Sequence, residues 1–176
     1  MTGVDRSRAY LDEARQREGA VEWIESDMRE FERPASFDAV ANLWSSFGYF
    51  ERIEDDLRAA KAARACLRPG GALLIDLKGK EIVARHFTPR SWHTLEDGSE
   101  LLVELIIEDG WQRLEQRWTL MRGFKRIKHR IRLRLYSGAE LKALLLAAGF
   151  TEVKLYGDFD GREYGPEASR LVAVAR

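Results

Sequence analysis

The spacing of apolar residues divides the first 77 positions into alternating helices and strands. Apolar side chains recur every three or four residues over 7–18 and 52–67, which predicts two amphipathic helices. Short apolar runs at 21–25, 37–43 and 72–77 predict three strands. Because helices and strands alternate, and because the third run is almost continuously apolar, the pattern favours a parallel sheet covered by helices on both faces.

Local signals predict where the first two helices begin and end. Ser7 is a suitable N-cap for the first helix, and Gly19 follows its last predicted residue. The run Pro69-Gly70-Gly71 is expected to stop the second helix, since proline cannot continue a helix and glycine permits a tight turn.

The period changes to two between Trp92 and Tyr136. Basic residues at 126, 128, 130, 132 and 134 alternate there with Ile, His and Leu. Residues 112–120 show the same alternation, and 122–125 reads as the turn between the two strands. The pattern predicts an antiparallel β insertion over residues 92–135 of a single domain, 1–176.

The last part of the chain returns to helix and strand. Ser137 and Glu140 have the spacing of a capping box and predict a helix that ends at Gly149. Two strands follow at 152–156 and 171–175 with no helix between them, which predicts an antiparallel hairpin.

Charge is balanced over the whole chain but not along it. The sequence has 29 Lys and Arg against 29 Asp and Glu, so no global field favours nucleic acid or a membrane. Residues 94–109 carry six acids and no base, whereas residues 111–134 carry nine bases and one acid. The basic block is either a nucleic-acid surface or the partner of the acidic strand. We favour cross-strand pairing, because the basic face carries no interleaved aromatic residues.

The remaining composition excludes several classes of protein. One cysteine, Cys66, permits no intramolecular disulfide, fits a reducing cytoplasm and is expected to be a small core residue. Three scattered histidines form no recognisable metal-ligand cluster, so we expect no metal. No apolar run approaches the length of a bilayer span.

Several short motifs together resemble class I S-adenosylmethionine-dependent methyltransferases. In chain order they are 4–7 (VDRS), 26–29 (SDMR), 37–40 (FDAV), 67–71 (LRPGG) and 147–150 (AAGF). The resemblance implies an α/β fold with a Rossmann-like sheet, seven-stranded in the family, mostly parallel and ending in an antiparallel hairpin. The closing stretch resembles that of small-molecule methyltransferases whose β-rich insertion forms a lid.

The resemblance also implies S-adenosyl-L-methionine as cofactor and places its binding residues at strand ends. They are Asp5, Arg6, Asp27, Met28, Asn42 and Leu43. An acidic residue ending a strand, here Asp5, accepts hydrogen bonds from ribose hydroxyls in related folds. Asp27 would accept from the adenine amine and Met28 would pack on the ring, while Asn42 and Leu43 end the strand beneath the sulfonium.

Methyl transfer needs positioning more than acid–base chemistry, because the sulfonium is already a good electrophile. The resemblance implies that Ser46, Tyr49 and Phe50 border a small-molecule acceptor, with Tyr49 as the candidate catalytic residue. His93, His129 and Asp76 are weaker candidates for a base. His129 lies on the apolar face of its predicted strand and is expected to be a core residue.

One departure from the family concerns the glycine-rich loop after its first strand. No such loop precedes Asp5, and Gly70-Gly71 lies on the wrong side of the sheet to replace it. We therefore expect a sheet truncated at its first strand and a longer gene product. Residues 1–176 alone are expected to bind the cofactor weakly and to associate through open strand edges as homo-oligomers.

Two other functions remain open from the sequence. The chain is alternatively a non-catalytic methyltransferase-like partner that completes its sheet with another chain. It is alternatively an RNA-binding module that uses the basic strands. The methyl acceptor, and whether its nucleophile is nitrogen, oxygen or carbon, is left open by the residues.

Overall fold

The computed structural model describes residues 1–17 and 19–176, which form four helices and ten strands. The helices are α1 Arg8–Arg15, α2 Ile53–Cys66, α3 Lys80–Arg85 and α4 Gly138–Ala147. The strands are β1 Thr2–Asp5, β2 Glu22–Glu25, β3 Phe37–Asn42, β4 Leu67–Leu77, β5 Arg90–Thr94, β6 Glu100–Glu108, β7 Arg113–Arg122, β8 Lys125–Arg134, β9 Val153–Tyr156 and β10 Leu171–Ala175.

Six of these strands form the Rossmann-like part of the molecule. β1 and β2 pair in parallel as a two-stranded sheet. A second sheet has the order β3-β4-β10-β9, in which β3 and β4 are parallel and β10 runs antiparallel to both of its neighbours. The predicted antiparallel hairpin at the end of the chain is therefore confirmed. Among the described residues, no ladder joins β1 to β3.

The first helix begins where the sequence predicts. Its N-cap is Ser7, whose side chain accepts a hydrogen bond from the Tyr10 amide. The helix ends at Arg15, three residues before the predicted end at Glu18, which lies outside the described residues.

Helix α2 stops before Pro69-Gly70-Gly71, and Gly70 has the positive φ of 82° expected in a tight turn, but this run lies inside a strand rather than before it. Helix α2 ends at Cys66, and β4 begins directly at Leu67, opposite Phe37. The amides of Ala35 and Ser36 cap the end of α2, because they donate hydrogen bonds to the carbonyls of Ala65 and Cys66. Pro69 lies within the register irregularity between Phe37 and Ala39, where its missing N–H breaks no ladder bond.

The main core lies between the second sheet and the helices α2 and α4. Its most deeply buried apolar residues are Ala60, Leu73, Ile75, Leu141, Leu145, Leu171, Ala173 and Ala175. The predicted capping box is confirmed, because Ser137 accepts from the Glu140 amide and Glu140 accepts from the Ser137 amide. Burial of this apolar surface is the main force that fixes α4 on the sheet.

The insertion is a four-stranded antiparallel sheet of order β5-β6-β7-β8, which we call the insertion sheet. It begins at Arg90, two residues before the predicted start, and a two-residue turn, Gly123-Phe124, joins β7 to β8. The apolar face near its base packs on Val83 and Phe87. The expectation that His129 is a core residue is wrong: it is exposed near the Trp118 ring, because nothing covers this end of the face.

The opposite face of the insertion sheet confirms the predicted cross-strand pairing. Glu115 is fully buried and accepts from Arg117 Nε at 2.5 Å and from Arg130 Nε at 2.7 Å. Arg132 Nε donates to Glu108 at 2.7 Å. Arg130 and Arg132 of β8 are thus paired inside the sheet, and Arg134 pairs with Asp56 of α2.

The single cysteine, the possible metal ligands and the helix lengths bear on the remaining expectations from composition. Cys66 is buried and belongs to the core. Within residues 1–17 and 19–176, no group of His, Cys, Asp and Glu has the arrangement of a metal site. None of the helices in that part of the chain is both long and apolar enough to cross a membrane.

Candidate active site

The predicted cofactor residues lie at the carboxyl ends of β1, β2 and β3. Asp5 ends β1, Asp27 and Met28 follow β2, and Asn42 ends β3. Asn42 Nδ2 lies 3.7 Å from Met28 Sδ, so this contact brings the ends of the two sheets together. Ligands of open α/β sheets bind at this edge, where strand ends present polar groups.

Asn42 has a buried polar atom that lacks a partner. Its Oδ1 is inaccessible and accepts no hydrogen bond from the described residues. An unsatisfied buried acceptor costs about 1–3 kcal/mol. A ligand at the end of β3 would recover this free energy if the Asn42 side chain turned its Oδ1 toward a donor of the ligand.

Asp27 is held by the residue two positions after it. Arg29 donates to both carboxylate oxygens, from Nε at 3.0 Å and from Nη2 at 2.7 Å, and its amide donates to Oδ1 at 2.9 Å. These hydrogen bonds, despite partial burial, lower the pKa of Asp27 to about 2. The carboxylate is therefore charged at neutral pH and oriented before any ligand binds.

The two remaining residues on β1 and after it are open to solvent. Asp5 and Arg6 are exposed, and Asp5 Oδ1 accepts from the Ser7 amide at 2.7 Å. The other oxygen of the carboxylate has no partner in the described part of the chain and can accept from hydroxyl groups.

The segment after β3 makes a strained corner. Trp44 and Ser45 have φ of 59° and 57°, a left-handed conformation that non-glycine residues rarely adopt. The buried Asp76 holds both residues: its Oδ2 accepts from the Trp44 amide at 2.9 Å and its carbonyl accepts from the Ser45 amide at 3.0 Å. Such strain persists where the surroundings fix it, and it is concentrated at functional sites.

Asp76 is also the centre of an ion pair. Arg170 donates to both of its oxygens, with Nη2 at 2.5 Å from Oδ2. The guanidinium lies between two exposed rings, 5.2 Å from the centre of Trp44 and 5.5 Å from that of Phe159. Asp76 was a candidate base in the sequence; in the structure its carboxylate is occupied by a cation and a backbone amide.

A cavity of about 320 Å³ opens between the ends of the second sheet and the apolar face of the insertion sheet. Ser45 and Phe47 contribute its wall from the segment after β3. The other lining residues come from the end of β4 and the residue after it, from α3 and the residues after it, and from β6, β7, β8 and the two residues that follow β8. They are Leu77, Lys78, Val83, His86, Phe87, Leu105, Leu114, Gln116, Leu133, Arg134, Leu135 and Tyr136.

Gly48 joins the segment to the insertion sheet. Its carbonyl accepts from the Arg134 amide at 2.7 Å, and its φ is 96°. A Cβ at this position would lie 2.9 Å from the Arg134 carbonyl oxygen, so both conformation and space require glycine. The cavity wall is thereby attached to the base of β8.

The predicted acceptor residues lie beside the cavity rather than in its wall. Ser46 Oγ donates to the Leu43 carbonyl at 2.9 Å, Tyr49 is 46% exposed, and Phe50 packs against the main core. His93 is exposed on β5. The acceptor role of Ser46, Tyr49 and Phe50 stays a prediction.

The sequence places the segment 44–50 at the acceptor but singles out Ser46, Tyr49 and Phe50 rather than Ser45 and Phe47, and it gives no role to His86. The alternation of Ser45 and Phe47 is visible in the sequence, but the side to which they point depends on the left-handed corner. His86 follows the short helix α3, and nothing in the local pattern sets it apart from other exposed histidines.

Comparisons with known proteins show which sequences and folds this chain is similar to. Residues 1–71 match the family model described as a methyltransferase domain. No curated protein matches the sequence.

Solved structures match almost the whole chain. The CcbJ methyltransferase from Streptomyces caelestis aligns with a TM-score of 0.85 and 21% identity, over 99% of this chain and 73% of that one. The sugar N-methyltransferase KedS8 from Streptoalloteichus sp. aligns with a TM-score of 0.75 and 23% identity, over 99% and 69%. The amino pentose methyltransferase CalS10 from Micromonospora echinaspora, solved with S-adenosylmethionine bound, aligns with 0.72 and 23%, over 99% and 72%.

The fold and the family match define the class. The chain has the Rossmann-like fold of class I S-adenosylmethionine-dependent methyltransferases, with a β insertion, as the sequence predicts. Its first 71 residues match the methyltransferase-domain family itself. The fold and the match over residues 1–71 thereby agree with the resemblance seen in the sequence.

Proposed function

We propose that this protein transfers a methyl group from S-adenosylmethionine to a small molecule bound in the cavity under the insertion sheet. The observation that carries the proposal is the unpartnered Asn42 Oδ1 at the end of β3, next to a segment whose residues Ser45 and Phe47 form the cavity wall. The cofactor, when bound, supplies an electrophilic methyl group.

The residues present fit that cofactor. Asp5 has a free carboxylate oxygen for ribose hydroxyls, and Asp27 is a charged, oriented acceptor for the adenine amine. Met28 lies between Asp27 and Asn42 in space and can pack on the base. Asn42 Oδ1 would accept from a donor of the cofactor, which would satisfy a buried acceptor that has no partner among the described residues.

The residues that line the cavity indicate which kind of acceptor it can bind. Most of it is apolar, so the acceptor presents an apolar body. Lys78 lines the cavity, and so does Arg134, whose guanidinium is paired with Asp56; none of the described lining residues is acidic. A cavity with the Lys78 cation and without carboxylates disfavours an ammonium group. We infer that it selects an amine without its proton, or a hydroxyl or its anion, each of which has the lone pair that methyl transfer requires.

The insertion sheet acts as a lid in this proposal. Leu105, Leu114 and Leu133 cover the cavity from β6, β7 and β8 and exclude water from the reacting atoms. The hydrogen bond between Arg134 and Gly48 holds the lid to the opposite wall.

Replacing Asp27 with alanine is expected to weaken binding of S-adenosylhomocysteine by about 1–2 kcal/mol, because a charged, partly buried acceptor is lost. Calorimetric titration measures this change. Asp38→Ala is the matched control, since Asp38 is an exposed aspartate paired with Arg68 near the other end of β3. Equal affinities in the wild type and Asp27→Ala would remove Asp27 from the site.

Filling the cavity is expected to affect the acceptor alone. Leu105→Trp should raise the acceptor KM at least about tenfold, because a larger ring occupies the space beneath β6. S-Adenosylhomocysteine release is measured with a panel of small amines and phenols, and cofactor binding is measured separately. Leu101→Trp, on the same strand and face but outside the cavity wall, is the control. If both variants change the acceptor KM equally, the cavity is not the acceptor site.

A further inference from the structure

Arg29 contacts two carboxylates and an aromatic ring at the candidate site. Its guanidinium binds Asp27 through two nitrogens and lies 3.1 Å from Asp55 Oδ1 through Nη1. The carbon at its centre lies 4.5 Å from the centre of the Phe50 ring. The half-buried Arg29 side chain therefore contacts three parts of the chain. They are Asp27 after β2, Asp55 in the first turn of α2, and Phe50 in the segment that follows β3.

We propose that Arg29 is a positioning residue that holds the Asp27 carboxylate in the orientation required by the adenine amine and connects it to Phe50. The proposal rests on the proposed function, in which Asp27 accepts from the cofactor. Arg29 itself is not proposed to touch cofactor or acceptor.

The hydrogen bonds that the Asp27 carboxylate already accepts support this role. A carboxylate can accept about four hydrogen bonds. Three of them come from Arg29, with its Nε and amide on Oδ1 and its Nη2 on Oδ2. The remaining position is on Oδ2. The bidentate contact with Arg29 fixes the plane of the carboxylate. The remaining lone pair of Oδ2 lies in that plane, so its direction is fixed as well.

The other contacts of Arg29 keep the guanidinium itself in place. Asp55 and Asp27 share its charge and raise the pKa of Arg29, with Asp27 as the larger cause. Phe50 provides a flat surface under the guanidinium and is packed against the main core. Since Phe50 ends the segment that forms the cavity wall, the adenine end of the site and the acceptor segment are joined by one rigid cation.

The chain contains a second arginine with the same local contacts. Arg33 binds both oxygens of Glu22 at 2.5 and 2.6 Å, and it lies 6.0 Å from the centre of the Phe31 ring. Glu22, however, begins β2, whereas Asp27 follows its end. Arg33 therefore shares the chemistry of Arg29 and lies away from the carboxyl ends of the strands.

The test compares Arg29→Met with Arg33→Met. Methionine keeps the length and apolar contact of each side chain and removes the guanidinium. Arg29→Met is expected to lower the affinity for S-adenosylhomocysteine roughly tenfold, as loss of a ligand-orienting partner does elsewhere, and Arg33→Met to leave it within about twofold. Arg29→Lys, which keeps the charge without the bidentate contact, should recover part of the loss.

A second probe tests whether the effect passes through Asp27. S-Inosylhomocysteine carries a carbonyl oxygen in place of the adenine amine, so position 6 of its base accepts hydrogen bonds and cannot donate to the carboxylate. The loss caused by Arg29→Met should shrink to roughly twofold for this ligand. An equal loss for both ligands would show that Arg29 does not act through recognition of the amine, and would overturn the proposal.

A third measurement needs no ligand. Carboxyl NMR titration should show the pKa of Asp27 rising from about 2 toward its ordinary value of 3.8 in Arg29→Met, and unchanged in Arg33→Met. If the wild type binds S-adenosylhomocysteine but Arg29→Met binds it equally, Arg29 has only a structural role. If the wild type itself does not bind S-adenosylhomocysteine, the proposed function fails first, and the inference about Arg29 fails with it.

Discussion

Replacing Asp76 with alanine is expected to lower the free energy of unfolding by about 3–5 kcal/mol, the usual cost of breaking a buried ion pair from one side. Asp76 is fully buried and accepts from Arg170 and from the Trp44 amide. Alanine would leave the half-buried Arg170 without its counter-charge and the Trp44 amide without its acceptor. The left-handed corner at Trp44 and Ser45 would then lose the contact that balances its strain.

Urea unfolding of Asp76→Ala measures this loss, with the slope m compared to confirm that the transition is still two-state. Asp160→Ala is the control, because Asp160 is an exposed aspartate whose Oδ2 accepts from both Nε and Nη2 of Arg162. The control should change the free energy of unfolding by less than about 1 kcal/mol. Similar small losses in both variants would show that Asp76 does not hold the corner.

Replacing Asp56 with alanine is expected to have a comparable effect on stability, about 3–5 kcal/mol. Asp56 lies on α2 and is fully buried, and its Oδ2 accepts from Tyr136 Oη at 2.7 Å and from Arg134 Nε at 3.1 Å. The carboxylate therefore ties α2 to the residues at the base of the insertion sheet. Its Oδ1 is buried and accepts no hydrogen bond from the described residues.

The pH dependence identifies the Asp56 contribution. Burial raises the pKa of Asp56 above its ordinary value of 3.8, although Tyr136 and Arg134 oppose the shift. The native state then binds the proton more tightly than the unfolded state, so this group's contribution to stability is greatest below pH 3.8 and declines as pH rises through the native pKa. Asp56→Asn should remove that decline. An unchanged pH profile of unfolding in Asp56→Asn would contradict the assignment.

Much of the fold follows from patterns that local physics controls. The period of two in 92–135 predicts the insertion sheet, because side chains on a strand alternate between faces. The capping box at Ser137 predicts the start of α4, because its two hydrogen bonds are local. The helix stops before Pro69 as predicted, but β4 begins at Leu67 rather than at Ala72, since Leu67 already pairs with Phe37 across the sheet.

The candidate site is less visible in the sequence. Trp44 and Ser45 are not residues that favour positive φ, so nothing local indicates the corner that turns Ser45 and Phe47 toward the cavity. The corner is held from a distance: Asp76 comes from β4, and its partner Arg170 lies 94 residues further on. Asp27 and Asn42, in contrast, occupy strand ends that the alternation of helix and strand already places at one edge.

The central claim is that S-adenosylmethionine binds across the ends of β1, β2 and β3 beside the cavity. A crystal structure with S-adenosylhomocysteine tests it most directly. We expect the adenine to lie beside Asp27 and Met28, the ribose hydroxyls to donate to Asp5, and a donor of the ligand to reach Asn42 Oδ1. Ligand density elsewhere on the protein, with Asn42 Oδ1 still without a partner, would contradict the claim.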